Sequence, residues 1–243
     1  MTPHAKSFVW AALAASLAVL SACSHTSKPA PRQPSPEGYL DIMSGYRPMN
    51  LNAPPGDWVI IGREDAGVKA LSMINLGGVH TLELRSARNP LIAVRQVNAM
   101  MLATPFLGWS WNVSNHGEGI HPVRLIIGFK GGVSPDDETS SRSKGLPLHD
   151  RAIALVWGDT ALRRGAFSLP PTERPFEAPV YTVRGGRENT RQWWSEAVDL
   201  SDLYKQAWPQ DNHRRVRIAF IGLAAAATPA PVRGRVTEIT LTH

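Results

Sequence analysis

Apolar and polar residues alternate strictly along residues 107–113, and this limits what the chain can fold into more than any other feature. Trp109, Trp111 and Val113 lie on one side of an extended chain, and the polar residues between them lie on the other. A helix would scatter these positions around its axis, so the pattern predicts a half-buried β-strand. Residues 121–130 show the same period of two and predict a second strand.

Further short runs of this kind are separated by segments rich in proline, glycine and asparagine, which is typical of all-β domains. The predicted strands cover residues 57–61, 79–85, 91–97, 98–103, 107–113, 121–130, 151–157, 180–184, 191–198, 215–222 and 235–242. One helix is predicted near residues 199–208, because Asp199 or Ser201 can cap its start and Pro209 prevents its continuation. The fold class is therefore all-β: a two-sheet antiparallel β-sandwich, jelly-roll-like, with one short helix.

The positions of the aromatic residues predict where the core lies. Trp109, Trp111 and Trp157 occupy inward-alternating positions and are expected to be buried. In the last predicted strand, Val236 is out of phase with the apolar residues after it, which predicts a β-bulge.

The N-terminus has the order of a secretory signal. Lys6 is followed by an apolar run over residues 8–20 and then by small residues before the single cysteine. The segment Leu20-Ser21-Ala22-Cys23 resembles the lipobox of bacterial lipoproteins, and this resemblance implies cleavage before Cys23 and a diacylglycerol on its sulfur. Two alternatives stay open. One is a transmembrane helix, although that needs about 20 apolar residues; the other is ordinary cleavage after Ala22, which leaves a free thiol.

This interpretation divides the chain into three parts. Residues 1–22 are a lipoprotein signal peptide, residues 23–36 a disordered Pro/Ser-rich tether, and residues 37–243 a single β-sandwich domain. By resemblance to lipoprotein sorting signals, Ser24 in place of Asp favours the outer membrane. The expected location is exported and lipid-anchored, at the periplasmic face of the outer membrane.

The charge balance suggests partners for an exported protein. The chain has a net charge of +6, with arginines clustered at residues 163–164, 214–217 and 233–235. A basic surface outside the cytoplasm favours anionic envelope polymers or lipid headgroups. No nucleic-acid partner is expected, and an ordinary solvated surface is the simpler alternative.

Several landmarks occur in the order seen in one known family. They are Trp109–Trp111, Val123–Phe129, Ala154–Gly158, Trp193–Glu196 and Val216–Gly222. In this order they resemble the family of unknown function numbered 3047, over roughly residues 57–242. The resemblance implies a β-sandwich in an envelope setting, and it brings no established activity.

Two departures from that family's pattern concern acidic residues. The family typically has paired aspartates before its Arg-bearing strand, where this chain has Ile120-His121-Pro122. It also has an Asp/Thr-rich turn after the penultimate strand, where this chain has Leu223 and residues 224–227. No ligand or metal role of those acids carries over to this chain.

No catalytic signature is present in the sequence, and no cofactor is expected. His116, Glu118 and His121 are weak candidates for a zinc site, against the alternative of a solvated loop. The acidic loop at residues 136–138 lacks the spacing of a calcium loop. Glu196 and Asp199 could be mistaken for an acid/base pair, but a helix cap and an ion pair with a strand arginine are simpler explanations.

The remaining aromatic residues suggest a binding surface. Trp193 and Trp194 are adjacent, so on a strand one of them must point away from the core. Together with Arg187 and Arg191 they form the predicted ligand-binding surface. The sequence favours a non-catalytic binding or structural module for an envelope polymer or glycan, with peptidoglycan, lipopolysaccharide or another envelope protein as partner.

Two other functions remain. One is an envelope glycan hydrolase or metal-dependent enzyme that uses His116, Glu118 and His121 or the acidic loop, and the other is a purely scaffolding role.

Overall fold

The computed structural model describes residues 29–45, 49–50, 52–63, 69–133, 145–171 and 177–243. Within these ranges the chain forms thirteen strands and one α-helix, α1, at Leu200–Ala207. The strands are β1 Leu40–Asp41, β2 Trp58–Gly62, β3 Leu71–Leu76, β4 Val79–Ser86, β5 Leu91–Met100, β6 Phe106–Val113, β7 Val123–Lys130, β8 Arg151–Gly158, β9 Phe167–Ser168, β10 Val180–Gly185, β11 Trp194–Asp199, β12 Arg217–Ala225 and β13 Val232–Thr242. No helix among the described residues is long and apolar enough to cross a bilayer.

The strands form two sheets that pack face to face. The six-stranded sheet has the order β11-β6-β13-β4-β3, with β1 paired to β13. The seven-stranded sheet has the order β2-β5-β12-β7-β8-β10-β9. The predicted all-β sandwich with one short helix is therefore confirmed.

One strand pair departs from the antiparallel prediction. β8 and β10 are parallel, whereas the other strand pairs among the described residues are antiparallel. A hairpin cannot join parallel neighbours, since the chain must first return to the end where the first strand began. Among the described residues, the connection between them contains the short strand β9, which pairs with β10.

The core lies between the sheets and contains the predicted tryptophans. Trp109, Trp111 and Trp157 are each at most 2% exposed. The indole of Trp111 meets those of Trp109 and Trp157 edge-on, with ring centroids 5.6 Å and 5.4 Å apart. Such aromatic contacts add about 1 kcal/mol each beyond the area they bury. The period-two interpretation of these strands is confirmed.

The β-bulge agrees with the sequence-based prediction, whereas β5 and β3 differ from it. The bulge predicted in β13 lies between Thr237 and Thr240, where Glu238 has a φ of 54°. The two strands predicted over residues 91–103 are one strand, β5, that ends at Met100. β3 is absent from the predicted strands; it pairs with β4 through the tight turn at Gly77-Gly78, whose φ angles of 60° and 91° suit glycine.

Part of the segment predicted to be a tether contacts the folded domain. Arg32 forms a parallel bridge with Val97 and extends the edge of the seven-stranded sheet. Its Nε donates to Asp57 Oδ2 at 2.8 Å, and the buried Arg95 donates to the same oxygen at 2.8 Å. Although burial acts in the opposite direction, these hydrogen bonds hold the pKa of Asp57 below its ordinary value. The ordered domain thus begins by residue 29, whereas Cys23 and the predicted signal lie outside the described residues.

Candidate functional site

Two loops meet at one end of the sandwich and bring together the predicted site residues. One loop joins β6 to β7 and carries His116, and the other joins β10 to β11 and carries Arg191. The Arg191 amide donates to the Val113 carbonyl at 2.8 Å, and the Thr190 hydroxyl donates to the Asn115 side chain. These two hydrogen bonds join the β6–β7 loop to the β10–β11 loop, so the loops that carry the metal candidates and the Trp/Arg residues lie together, although His121 itself is buried.

The two adjacent tryptophans have different environments. The Trp193 side chain is 44% exposed. Trp194 instead packs against the core, donates its indole N–H to the Asn189 carbonyl at 2.8 Å, and lies beneath the Arg184 guanidinium, which is 3.8 Å from the ring centroid. The exposed aromatic residue of the predicted surface is thus Trp193, and Trp194 supports it from below.

Arg187 and Arg191 are exposed in the same loop as Trp193. Among the described residues neither guanidinium has an ion-pair partner. Arg191 has a φ of 64°, a left-handed conformation that is uncommon outside glycine and costs about 1 kcal/mol. The hydrogen bond to β6 holds this conformation and so holds the loop that presents the tryptophan.

Glu196 anchors the same region from inside the sandwich. Its side chain is 2% exposed and accepts from Arg184 Nε at 2.5 Å, which joins β11 of one sheet to β10 of the other. Arg164 approaches its second oxygen at 3.6 Å. The expected ion pair with a strand arginine is confirmed. Asp199 is the helix cap, since it accepts from the amides of Ser201 and Asp202.

The two candidate histidines lie together, but without Glu118. The rings of His116 and His121 are 4.8 Å apart between centroids, and His121 Nδ1 accepts from the Val123 amide at 3.1 Å. Burial, and then the neighbouring His116, lower the pKa of His121 to about 3, so this imidazole is neutral. Among the described residues no three His, Cys, Asp or Glu side chains come close enough to bind a metal. The acidic loop at residues 136–138 lies outside them.

A second charged cluster lies on the outer face of the six-stranded sheet. Glu83 accepts from Arg85 Nε at 3.0 Å and from Arg235 Nε at 2.7 Å, and Arg233 is 3.9 Å away. Burial opposes the shift, but these hydrogen bonds hold the pKa of Glu83 below its ordinary value. The sequence places Glu83 and Arg85 on an outward face, yet only the pairing of β4 with β13 brings Arg233 and Arg235 to them.

A hydrogen-bonded network at the opposite end ties α1 to β8. Arg151 donates twice to Asp211, at 3.0 Å and 3.1 Å, and the Tyr204 hydroxyl donates to the same carboxylate at 2.6 Å. Asp150 accepts from the Gly131 amide through Oδ2, whereas its Oδ1 is buried without a hydrogen-bond partner. Burial raises the pKa of Asp150. Sequence reasoning does not identify this network, since its members lie on four separate segments.

The fold is an all-β sandwich whose loop surface carries aromatic and basic side chains. Domains of this fold class have very different functions, so the fold alone does not identify one. The chain belongs to the family described as "Protein of unknown function (DUF3047)", which matches residues 67–225. The resemblance drawn from the sequence is thereby confirmed. No curated protein matches the chain.

Solved structures of similar shape are distant in sequence. A family 11 carbohydrate-binding module from Clostridium thermocellum has a TM-score of 0.38 and 10% identity, covering 86% of this chain and 97% of its own. A family 30 carbohydrate-binding module from the same organism has a TM-score of 0.40 and 14% identity, with coverages of 84% and 97%. A family 11 xylanase from Neocallimastix patriciarum has a TM-score of 0.37 and 13% identity, with coverages of 84% and 100%. Similarity at this level carries no inference about function.

Proposed function

We propose that this protein is a non-catalytic binding module for an envelope glycan, and that Trp193, Arg187 and Arg191 contact the polymer. The observation that carries the proposal is that Trp193 is 44% exposed in the same β10–β11 loop as Arg187 and Arg191, which are exposed and have no ion-pair partner among the described residues. The apolar face of a pyranose ring packs on an aromatic ring, and guanidinium groups donate hydrogen bonds to sugar hydroxyls or acidic groups. Both kinds of contact are available on this surface.

The residues beneath this surface are already fixed, so little conformational entropy is lost when a ligand binds. The Trp194 indole below it is fixed by a hydrogen bond to Asn189 and by the Arg184 guanidinium. A site held in place before binding loses less conformational entropy on association. This rigidity favours recognition of a repeating polymer through a few fixed contacts.

The enzyme alternative has less support. Acid/base hydrolysis of a glycoside needs two carboxyl groups that flank the bond, about 5 to 10 Å apart. Near Trp193 the buried carboxylate of Glu196 is engaged with Arg184 at 2.5 Å, and His121 has no acidic partner among its described hydrogen bonds. These groups stabilise the fold, and a binding role remains the simpler function for the exposed ones.

Pull-down of the soluble domain with peptidoglycan and with lipopolysaccharide tests the proposal. The Trp193→Ala variant and the Arg187→Ala, Arg191→Ala variant should each retain less than about a tenth of the parent's binding, a loss near 1.4 kcal/mol. Tyr39→Ala is the matched control, because Tyr39 is 49% exposed and lies in the N-terminal lead-in. Equal retention of parent and Trp193→Ala by both polymers would remove this surface from consideration.

The proposal includes a lipid anchor at Cys23 on the periplasmic face of the outer membrane. It rests on the order of Lys6, the apolar run and Leu20-Ser21-Ala22-Cys23 in the sequence. Mass spectrometry of the protein from a membrane fraction should show an N-terminal cysteine that carries a diacylglycerol, and Cys23→Ala should abolish the modification. An intact first residue, or a mature chain without lipid, would contradict the anchor.

A further inference from the structure

The loop surface around Trp193 continues directly into the arginine cluster on the outer face of the six-stranded sheet. The Arg191 amide is bonded to Val113, and the next residue, Ser114, exchanges two hydrogen bonds with Arg233. The Ser114 amide donates to the Arg233 carbonyl at 2.8 Å, and the Arg233 amide donates to Ser114 Oγ at 2.9 Å. No other element separates the loop from the cluster along this path.

The cluster carries more positive charge than its own carboxylate neutralises. Arg85, Arg233 and Arg235 surround the single carboxylate of Glu83, which leaves a net charge of two positive units. Arg233 makes the weakest contact, at 3.9 Å, and its Nε is buried without a hydrogen-bond partner in the described structure. The side chains of Arg85 and Arg233 are 46% and 40% exposed, so their remaining N–H groups face solvent. Guanidinium groups held in this way are suited to bind carboxylate or phosphate oxygens.

The strand register places the indole and the cluster on one line across the sheet. Trp193 immediately precedes β11, whose first residue, Trp194, pairs with Trp111 of β6, and Asn112 follows Trp111. Asn112 pairs with Arg235, and Arg235 pairs with Glu83. Neighbouring strands are about 4.8 Å apart, so the start of β11, next to Trp193, and Arg235 on β13 are separated by about 10 Å. That distance is spanned by a short oligosaccharide.

From this line of contacts we infer that the ligand is an acidic glycan, laid across β11, β6, β13 and β4, with a sugar ring on Trp193 and its carboxylate or phosphate groups on Arg233 and Arg235. The inference rests on the proposed function and adds the chemical class of the polymer. A neutral glycan would cover these guanidinium groups without supplying an acceptor of opposite charge, which is unfavourable. A polyanion without sugar rings would gain nothing from the indole.

Isothermal titration of the soluble domain with matched oligosaccharides tests this inference. Oligogalacturonate supplies carboxylates, a phosphomannan oligosaccharide supplies phosphates, and a malto-oligosaccharide of equal length is neutral. The acidic probes should bind at least about tenfold more tightly than the neutral one, and their advantage should shrink as salt is raised. Whichever acidic probe binds more tightly identifies the acidic group.

Arg233→Gln is the main variant, because Arg233 donates no side-chain hydrogen bond to Glu83 and its loss leaves the other two contacts in place. It should weaken oligogalacturonate about tenfold and leave the neutral probe unchanged. Arg235→Lys keeps the charge but loses the planar fork, and an intermediate effect is expected. Arg214→Gln is the control, since Arg214 is exposed in the turn that leads into β12 of the other sheet.

The outcomes separate the two proposals. If neutral and acidic probes bind equally and Trp193→Ala abolishes both, the glycan-binding function stands and the acidic class is overturned. If no oligosaccharide binds to the folded parent, the proposed function itself fails. If polyglutamate or single-stranded DNA binds as tightly as oligogalacturonate and Trp193→Ala has no effect, the face is a general polyanion site and the inference falls. Melting curves of each variant exclude unfolding as the cause.

Discussion

Trp193 and Trp194 show how one step along a strand changes what an identical side chain can do. Trp194 lies on the inner side, where Arg184 covers its ring at 3.8 Å. Trp193 turns outward because successive side chains of an extended chain point to opposite faces. The contacts of the partly buried Trp194 with Asn189 and Arg184 fix the start of β11, directly after the exposed Trp193.

Asp150 is the residue whose titration should be visible in stability. Burial raises the pKa of its carboxyl group, and Oδ1 has no hydrogen-bond partner, so the charged form destabilises the folded state at neutral pH. A raised folded pKa means that this carboxyl favours folding at low pH and that the benefit is lost as pH rises through the raised value. Asp150→Asn keeps an acceptor for the Gly131 amide and removes the charge.

We therefore expect Asp150→Asn to raise the melting temperature at about pH 7 by about 3 °C, the shift for roughly 1 kcal/mol in a domain of this size. The difference from the parent should shrink toward zero at about pH 4. Thermal unfolding, monitored by circular dichroism at both pH values, measures this difference in melting temperature. A variant less stable than the parent at about pH 7 but not at about pH 4 would show that the charge is stabilising.

Some of these residue environments could be predicted and others could not. Alternation alone predicts that Trp109, Trp111 and Trp157 are buried, because it depends only on neighbours in sequence. The environment of Asp150 depends on Asp211, Tyr204 and Gly131, which approach it only after the chain has folded. No local pattern carries that information.

Among the elements, α1 is the one whose boundary the sequence predicts best. Asp199 Oδ1 accepts from the Ser201 amide at 2.8 Å and the Asp202 amide at 3.1 Å, and it also accepts from the Ser201 hydroxyl. These groups would otherwise lack partners at the helix start. Signals of this kind are local, so they can be recognised without the fold.

Removal of the cap in the Asp199→Ala variant should lower the free energy of unfolding by about 1 kcal/mol. Chemical denaturation of the parent and the variant measures this difference. Asp199→Asn retains an acceptor and should lose less than half as much. Asp202→Ala serves as the control on the exposed side of the same helix, where Asp202 contacts only Gln206 through its side chain. If Asp199→Ala and Asp202→Ala cost the same, the cap contributes nothing specific.

Strands with clean alternation can be predicted, whereas β3 cannot, because its sequence Leu71-Ser-Met-Ile-Asn-Leu76 mixes the two faces. The signal that could have found it is the Gly77-Gly78 pair, which joins two strands in a tight hairpin. The parallel pairing of β10 with β8 has no such signal. It depends on the path of the connection between them, which side-chain patterns do not encode.

At the scale of the whole molecule, the N-terminal segment is part of the folded domain. Arg32 exchanges backbone hydrogen bonds with Gln96 and Asn98, at 3.0 Å and 2.7 Å, in addition to its ion pair with Asp57. Composition alone suggests a solvated tether here, since proline and serine bury little surface. In the structure, Arg32 instead donates to the carboxylate of Asp57 and so holds this segment against the domain.

A chain that begins at residue 37 should therefore be less stable than one that begins at residue 29. We expect the melting temperature to fall by about 5 °C, for a loss of roughly 2 kcal/mol in hydrogen bonds and the ion pair. Differential scanning calorimetry of the two chains measures the difference, and Arg32→Ala in the longer chain isolates the ion-pair contribution. Identical melting temperatures would mean that the segment adds no stability.

The bridge at Arg32 also sets a geometric limit on what the molecule can reach. Eight residues lie between Cys23 and Arg32, so a lipid on Cys23 would lie no more than about 30 Å from Arg32 and the β2 edge. Trp193 immediately precedes β11, which faces β10 through Arg184 and Glu196, and β10 is five strand spacings from β2, or about 24 Å. If the proposed lipid anchor and the proposed glycan contact at Trp193 both hold, they lie on opposite flanks of the domain, and the protein would link the bilayer only to polymer within this distance of it.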